Sequence, residues 1–175
     1  MDERNFCEYA VKKRHTPRQI ALYAGVALGV TLAAALGAAA ALAAQVGVLA
    51  VLPLLGGAGV LYYLSRYLSV EYEFTQTEDV FDVAEILSKK YRREKLSVQL
   101  RDAALRIAPY DGELPRDASG AKVYDFLAAP DAENPYYILF AREGARGVIL
   151  FNATPRMVEN LFYQVPSVTT RLPRA

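Results

Sequence analysis

Few residues in this chain are equipped for chemistry. Its one histidine, His15, stands in the basic run that begins at Lys12, with no second histidine to share a metal. Its one cysteine, Cys7, has no Cys or His partner at metal-ligand spacing. No base is placed to activate it as a nucleophile, and a lone Cys cannot close a disulfide within the chain. Gly56-Gly57-Ala58-Gly59 lacks the Lys-Ser/Thr ending of a phosphate-cradling loop. Asp79, Asp82 and Glu85 are spaced by three, which would align them on a helix. The local alternation is that of a strand, so they read as a solvated acidic edge. The expectation is a non-enzyme with no catalytic residue, no metal and no cofactor.

What remains is charge. Lys89, Lys90, Arg92, Arg93 and Lys95 lie within seven residues that hold a single acid, Glu94. Two readings stand. The segment faces anionic lipid headgroups, where each cation contributes about 1 kcal/mol. Alternatively it is an edge strand whose basic residues block edge-to-edge aggregation. Nucleic-acid binding needs a broader basic face. From Arg66 onward the chain holds 15 Lys/Arg against 16 Asp/Glu.

These residues depend on two very different kinds of element. The 47 residues from Gln19 to Ser65 carry no charge at all, and the 20 Lys/Arg and 19 Asp/Glu fall outside them. One crossing of a hydrocarbon core takes about 20 apolar residues, so the block is sized for two. Gln45 is its most polar point and marks the turn. Spans are expected at about 20–44 and 46–64, joined as a tight antiparallel hairpin that is helical throughout. Pro53 would kink the second span or delay its start. Thr16-Pro17 reads as an N-cap with Pro at the first helical position. Tyr62, Tyr63 and Tyr67 suit the headgroup level. Cleavage of the first span as a signal peptide, at the small residues near Ala43, conflicts with its length and with the second span that follows at once.

Orientation follows from Lys12, Lys13, Arg14, Arg18 and Arg66, which flank the spans while the turn is uncharged. Basic residues stay on the cytoplasmic side. The expectation is a multi-pass protein of the cell membrane with both termini cytoplasmic, where a lone Cys7 stays a thiol. Residues 2–15 read either as a short interfacial helix with Phe6, Tyr9, Ala10 and Val11 to one side or as a solvated leader. Gly25, Gly29, Ala33, Gly37 and Ala41 recur every four residues, a stripe of small side chains suited to close helix packing. That packing is either within the hairpin or between copies, unless Ala-rich composition makes the pattern by chance.

From Ser69 the period changes to two. Strands are expected at 70–75, 80–87, 91–100, 105–108, 122–127, 136–141 and 147–151, with a Gly/Asp/Pro-rich loop over 110–122 and a Gly-containing hairpin at 142–146. Thr154-Pro155 opens a helix with Val158, Leu161, Phe162 and Val165 on one face, stopped by Pro166. The fold class is therefore α+β: an N-terminal two-helix transmembrane hairpin, then an antiparallel curved sheet of about seven strands closed by a C-terminal helix. The divisions are 1–18 leader, 19–67 hairpin, 68–166 cytoplasmic domain and 167–175 loose tail.

Two apolar helices, then Val-Glu-Tyr-Glu-Phe-Thr, a basic segment, Leu-Ser-Val-Gln-Leu-Arg-Asp, an aromatic hairpin and a helix after Asn-Ala-Thr-Pro form a sequence of motifs. In that order it resembles a family of uncharacterised small bacterial membrane proteins related to the pleckstrin-homology-like (PH-like) domains. The resemblance implies a seven-stranded PH-like domain with a C-terminal helix and brings no activity with it. Family members commonly turn between the first two strands with Asn-Gly, where this chain has Gln76-Thr77. The function expected is a membrane-anchored, non-enzymatic module presenting a PH-like domain at the cytoplasmic face. It would bind a membrane protein partner or anionic lipid headgroups, and no nucleic acid. The alternative is a structural, homo-oligomeric membrane component assembled through the small-residue stripe.

Overall fold

The computed structural model describes residues 6–129 and 131–170. They fall into two units, Arg14–Val70 and the described residues of Met1–Lys13 and Glu71–Ala175.

The first unit is helical. Thr16 caps α1 (Pro17–Ala43) through a closed capping box: Gln19 N–H donates to Thr16 Oγ1 at 3.3 Å, and Thr16 N–H donates to Gln19 Oε1 at 3.0 Å. At the other end Gln45 adopts φ 59°, its N–H returns to the Leu42 carbonyl, and the Val46 N–H returns to Ala41. Those two bonds satisfy the last carbonyls and reverse the chain, so the turn falls at Gln45 as the polarity pattern requires. A 3-10 turn over Gly47–Ala50 leads into α2 (Val51–Ser65). Pro53 sits in the first turn of α2, where a missing N–H is tolerated. The helices run antiparallel. A Cβ on Gly37 would lie 3.0 Å from Pro53 Cβ, and one on Gly57 would lie 2.8 Å from Ala34 Cβ. Glycine at both positions permits the close approach.

The second unit is two four-stranded sheets. Sheet A has the order β1-β2-β3-β4, with β1 (Phe6–Lys12), β2 (Val70–Thr77), β3 (Val80–Leu87) and β4 (Tyr91–Gln99). A four-residue helix α3 (Leu100–Ala103) leads to sheet B, ordered β5-β7-β8-β6: β5 (Ala104–Pro109), β6 (Lys122–Asp125), β7 (Pro135–Arg142) and β8 (Ala145–Asn152). β6 runs parallel to β8, whereas β1–β2, β3–β4, β5–β7 and β7–β8 pair antiparallel. Phe74 and Phe81 from sheet A meet Phe151 from sheet B at centroid distances of 5.7 and 5.0 Å, with Tyr136 at 6.3 Å from Phe151. This aromatic core joins the sheets. The other face of sheet B is buried too: Tyr137, Leu139, Val148 and Leu150 pack with Ala118 under the loop that follows β5. Helix α4 (Pro155–Gln164), capped by Thr154 Oγ1 at 3.2 Å from Met157 N, closes the unit.

Several expectations need correction. Residues 6–12 of the leader are neither helix nor solvated arm but form β1, which makes eight strands among the described residues. Cys7, Tyr9 and Val11 pair with Gln76, Phe74 and Tyr72 in an unbroken register. Along β1 the more buried positions alternate with exposed ones, a period that also fits a strand. The second unit therefore includes β1 and does not begin at residue 68. Gln76 and Thr77 lie in β2, and the turn is Glu78-Asp79, with Glu78 at φ 54°. On α4 the expected face is buried or half-buried at Val158, Leu161 and Phe162, with Val165 buried just beyond the helix, and burial extends round to Met157 and Asn160. The tail is not loose as far as Thr170: Ile107 N–H donates to the Val168 carbonyl, and Thr170 N–H to that of Ile107, both at 2.7 Å. Asp2, Glu3, the ring of Tyr67 and the tail from Arg171 lie outside the described residues.

Lys12 pairs with Glu71, so residues 14–69 can be replaced by Asn-Gly, a two-residue hairpin turn. That variant is expected to be soluble without detergent and to unfold cooperatively in urea. A fragment beginning at Glu71, stripped of β1 and its buried face, should be less stable by about 3 kcal/mol or more.

Candidate functional site

The basic segment occupies β4, an edge strand of sheet A, and the turn before it. Lys89 and Lys90 belong to the β3–β4 turn, where Ser88 and Lys89 both have positive φ, 53° and 55°. Arg92, Arg93 and Lys95 lie on β4, which is exposed from Tyr91 to Lys95. Because the strands are antiparallel, this turn is at the same end of sheet A as Lys12 and Glu71, where the chain leaves β1 and enters β2.

Two of the five cations are already engaged. Arg92 grips Glu73 through Nη2 at 2.6 Å and Nε at 2.7 Å. The hydrogen bond to Glu73, then its charge, push the already high guanidinium pKa further up. Lys95 Nζ lies 2.7 Å from Glu85 Oε2. It stands at a bulge: Val83 pairs with Leu96 and Ala84 with Glu94, leaving Lys95 as the extra residue. Glu85 is thus a half-buried ion-pair partner and not part of a solvated acidic edge, while Asp79 accepts from Gln99 at 3.5 Å. Among the described residues Lys89 and Arg93 make no ion pair, and Lys90 stands over the Tyr91 ring at 5.8 Å.

The five residues expected to set topology divide between different roles. Lys12 is in β1, opposite Glu71. Lys13 donates to the Tyr72 hydroxyl at 3.0 Å and stands over the same ring. Burial pulls its pKa down, but the Tyr72 hydroxyl and the charges of Glu85 and Asp125 outweigh burial and leave it above the usual lysine value. Arg14 and Arg18 flank the capping box of α1, and Arg66 stacks over Tyr62 at 5.0 Å. His15 Nε2 donates to the Leu68 carbonyl at 3.2 Å, a hydrogen bond between the two ends of the helical unit. Sequence reasoning gave His15 no such part.

The small-residue stripe is only partly a seam. Gly37 packs on Pro53, while a Cβ on Gly25 or Gly29 would meet nothing within 4 Å. Ala33 is exposed and Ala41 half-buried. The helix contact passes through Val30, Ala34 and Gly37, with Ala38 buried.

Cys7 is buried beside the start of α4. Burial raises its thiol pKa above 9.0, only partly offset by a hydrogen bond with Thr154 and the charge of Arg156. The described residues contain no cluster of three or more His, Cys, Asp or Glu placed to hold a metal ion.

Two outcomes follow. A thiol reagent should modify Cys7 at least tenfold more slowly in the folded protein than in urea. Because the folded thiol pKa is raised, its contribution to stability is complete below pH 9.0 and is lost as pH rises through the folded value. Urea titrations between pH 8 and 10 should show this loss, and Cys7→Ser should remove it.

A family described as Bacterial PH-like domain (DUF6106) matches residues 3–170. No curated protein and no solved structure matches the chain.

Proposed function

The chain belongs to the Bacterial PH-like domain family, and from that premise we propose that it is a membrane-anchored, non-enzymatic binding module of the cell membrane. In this reading α1 and the Gly47–Ser65 helix are the anchor, the PH-like domain and both termini are cytoplasmic, and the domain binds a protein or anionic lipid headgroups. The observation that carries it is that β1 and β2, which flank the apolar helices, pair in one sheet. The strands must then lie on one side of any membrane the helices cross, which takes an even number of crossings. Two helices of 27 and 19 residues are long and apolar enough for this. A core helix of a soluble protein would bury such side chains, whereas Leu36 is 70% and Val48 84% exposed. Removal of α1 as a signal sequence would take β1 out of the sheet. The cytoplasmic placement rests on Lys12 to Arg14, Arg18 and Arg66 beside the helix ends.

The basic β3–β4 turn belongs to this reading because it shares the end of sheet A from which the anchor departs. Lys89, Lys90 and Arg93 are the cations left to meet headgroups there, with Arg92 and Lys95 sharing their charge with Glu73 and Glu85. The open faces at Gly25 and Gly29 favour a second reading in which copies associate through α1. Gly29→Leu should then dissociate the oligomer in detergent, and an unchanged mass excludes it.

Topology is testable with Cys7→Ser/Val46→Cys, which moves the only thiol to the helix turn. A membrane-impermeant maleimide should label it in intact cells; labelling only after permeabilisation overturns the orientation. For lipid contact, hydrogen exchange at residues 88–95 is measured in nanodiscs. Exchange should be several-fold slower when phosphatidylglycerol replaces part of the phosphatidylcholine, and equal rates exclude the headgroup role.

A further inference from the structure

The corner where the chain passes from sheet A to sheet B holds a site that none of this uses. β4 ends at Gln99, α3 crosses the gap, and β5 begins at Ala104 opposite Phe140. Fully buried Leu100 plugs the corner. Next to it the packing stops and leaves a cavity of about 380 Å³, within the range of small-molecule sites. It lies at the far end of sheet A from the basic turn, roughly 30 Å away along the nine residues of β4.

The cavity floor is apolar and its rim is polar. Val98 and Phe140 form the floor, and both are buried. The Phe140 ring lies across Gly147, its register partner, where a Cβ would overlap the ring. Glycine at 147 therefore sets where the floor is. On the rim stand Ser97, Gln99 and Arg142. Gln99 Nε2 donates to Asp79, which leaves its carbonyl oxygen as an acceptor. Arg142 Nε is 3.9 Å from the carboxylate of Glu143, its exposed neighbour in the tight β7–β8 turn. So long a contact between exposed side chains holds the guanidinium weakly. None of the lining residues is acidic.

The geometry points to a binding site for a small monocarboxylate with an apolar body. The body covers Val98 and Phe140, the carboxylate takes two parallel hydrogen bonds from Arg142, and the Ser97 hydroxyl donates to the same group. Charge fixes the sign of the ligand: an apolar floor with one weakly held guanidinium at the rim favours an anion over a cation or a neutral molecule of equal shape.

The test uses the full chain in phosphatidylcholine nanodiscs, read by the methyl NMR signals of Val98 and Ala103 during titration with benzoate. Benzamide, of equal shape and no charge, is the comparison. Benzoate should shift both methyls saturably, and benzamide should bind about tenfold more weakly or worse. Arg142→Gln should cost benzoate about tenfold in affinity and leave benzamide unchanged. No shift of these methyls up to roughly 50 mM benzoate overturns the site. So does equal affinity for the two compounds in the unmodified chain, a comparison that needs no variant.

Discussion

The structure depends on one pairing, that of β1 with β2. The two strands are neighbours in space but are separated by the 57 residues from Lys13 to Ser69. Closing a flexible loop of that length costs on the order of 4 kcal/mol. The intervening residues are not flexible, however. α1 and α2 pack through Gly37 and Gly57, and His15 bonds to Leu68 at the ends of the pair. The helical unit therefore delivers its own ends close together, and the register from Phe6–Thr77 to Lys12–Glu71 continues from there. Without that delivery β2 would be an edge strand and the buried face of Cys7, Tyr9 and Val11 would have no partner.

Much of the fold was legible because it rests on local physics. A run of 47 uncharged residues specifies two helices, and a single polar interruption at Gln45 marks their turn. Thr16-Pro17 and Thr154-Pro155 are both N-caps because the side-chain oxygen and the fixed proline φ act over one helical turn. The seven strands read from period-two alternation all exist. β1 was missed because Phe6, Tyr9, Ala10 and Val11 also make a plausible helical face, and seven residues are too few to separate the periods. Only a partner 59 positions away at Lys12–Glu71 decides between them, and no local pattern encodes that pairing. The same limit explains the double burial of sheet B: Tyr137 and Leu139 are covered by a loop whose Gly, Asp and Pro content looks solvated.

The site was legible only as composition. Five cations in seven residues could be counted, but their engagement depends on acids from other strands. Glu73 and Glu85 reach Arg92 and Lys95 because β2, β3 and β4 lie side by side, and the bulge at Lys95 re-aims one of them. The small-residue stripe was legible only in part, since Gly37 packs on Pro53. Spacing identifies residues that permit close approach, while the direction of the partner helix decides which are used. Val30 and Ala34 line the contact with α2, and Gly25 and Gly29 do not.

The separation of β1 from β2 also imposes an order on biosynthesis. β1 leaves the ribosome 59 residues before its register partner, Lys12 before Glu71. At about 5–20 residues per second this is a wait of roughly 3–12 s. During that interval a seven-residue strand with one apolar face has nothing to pair with, and the most apolar stretch of the chain emerges behind it. Sheet A becomes complete only after the helical pair has been made and released. Of the four strands β1 therefore waits longest for its partner, although it is the first of its sheet to be synthesised.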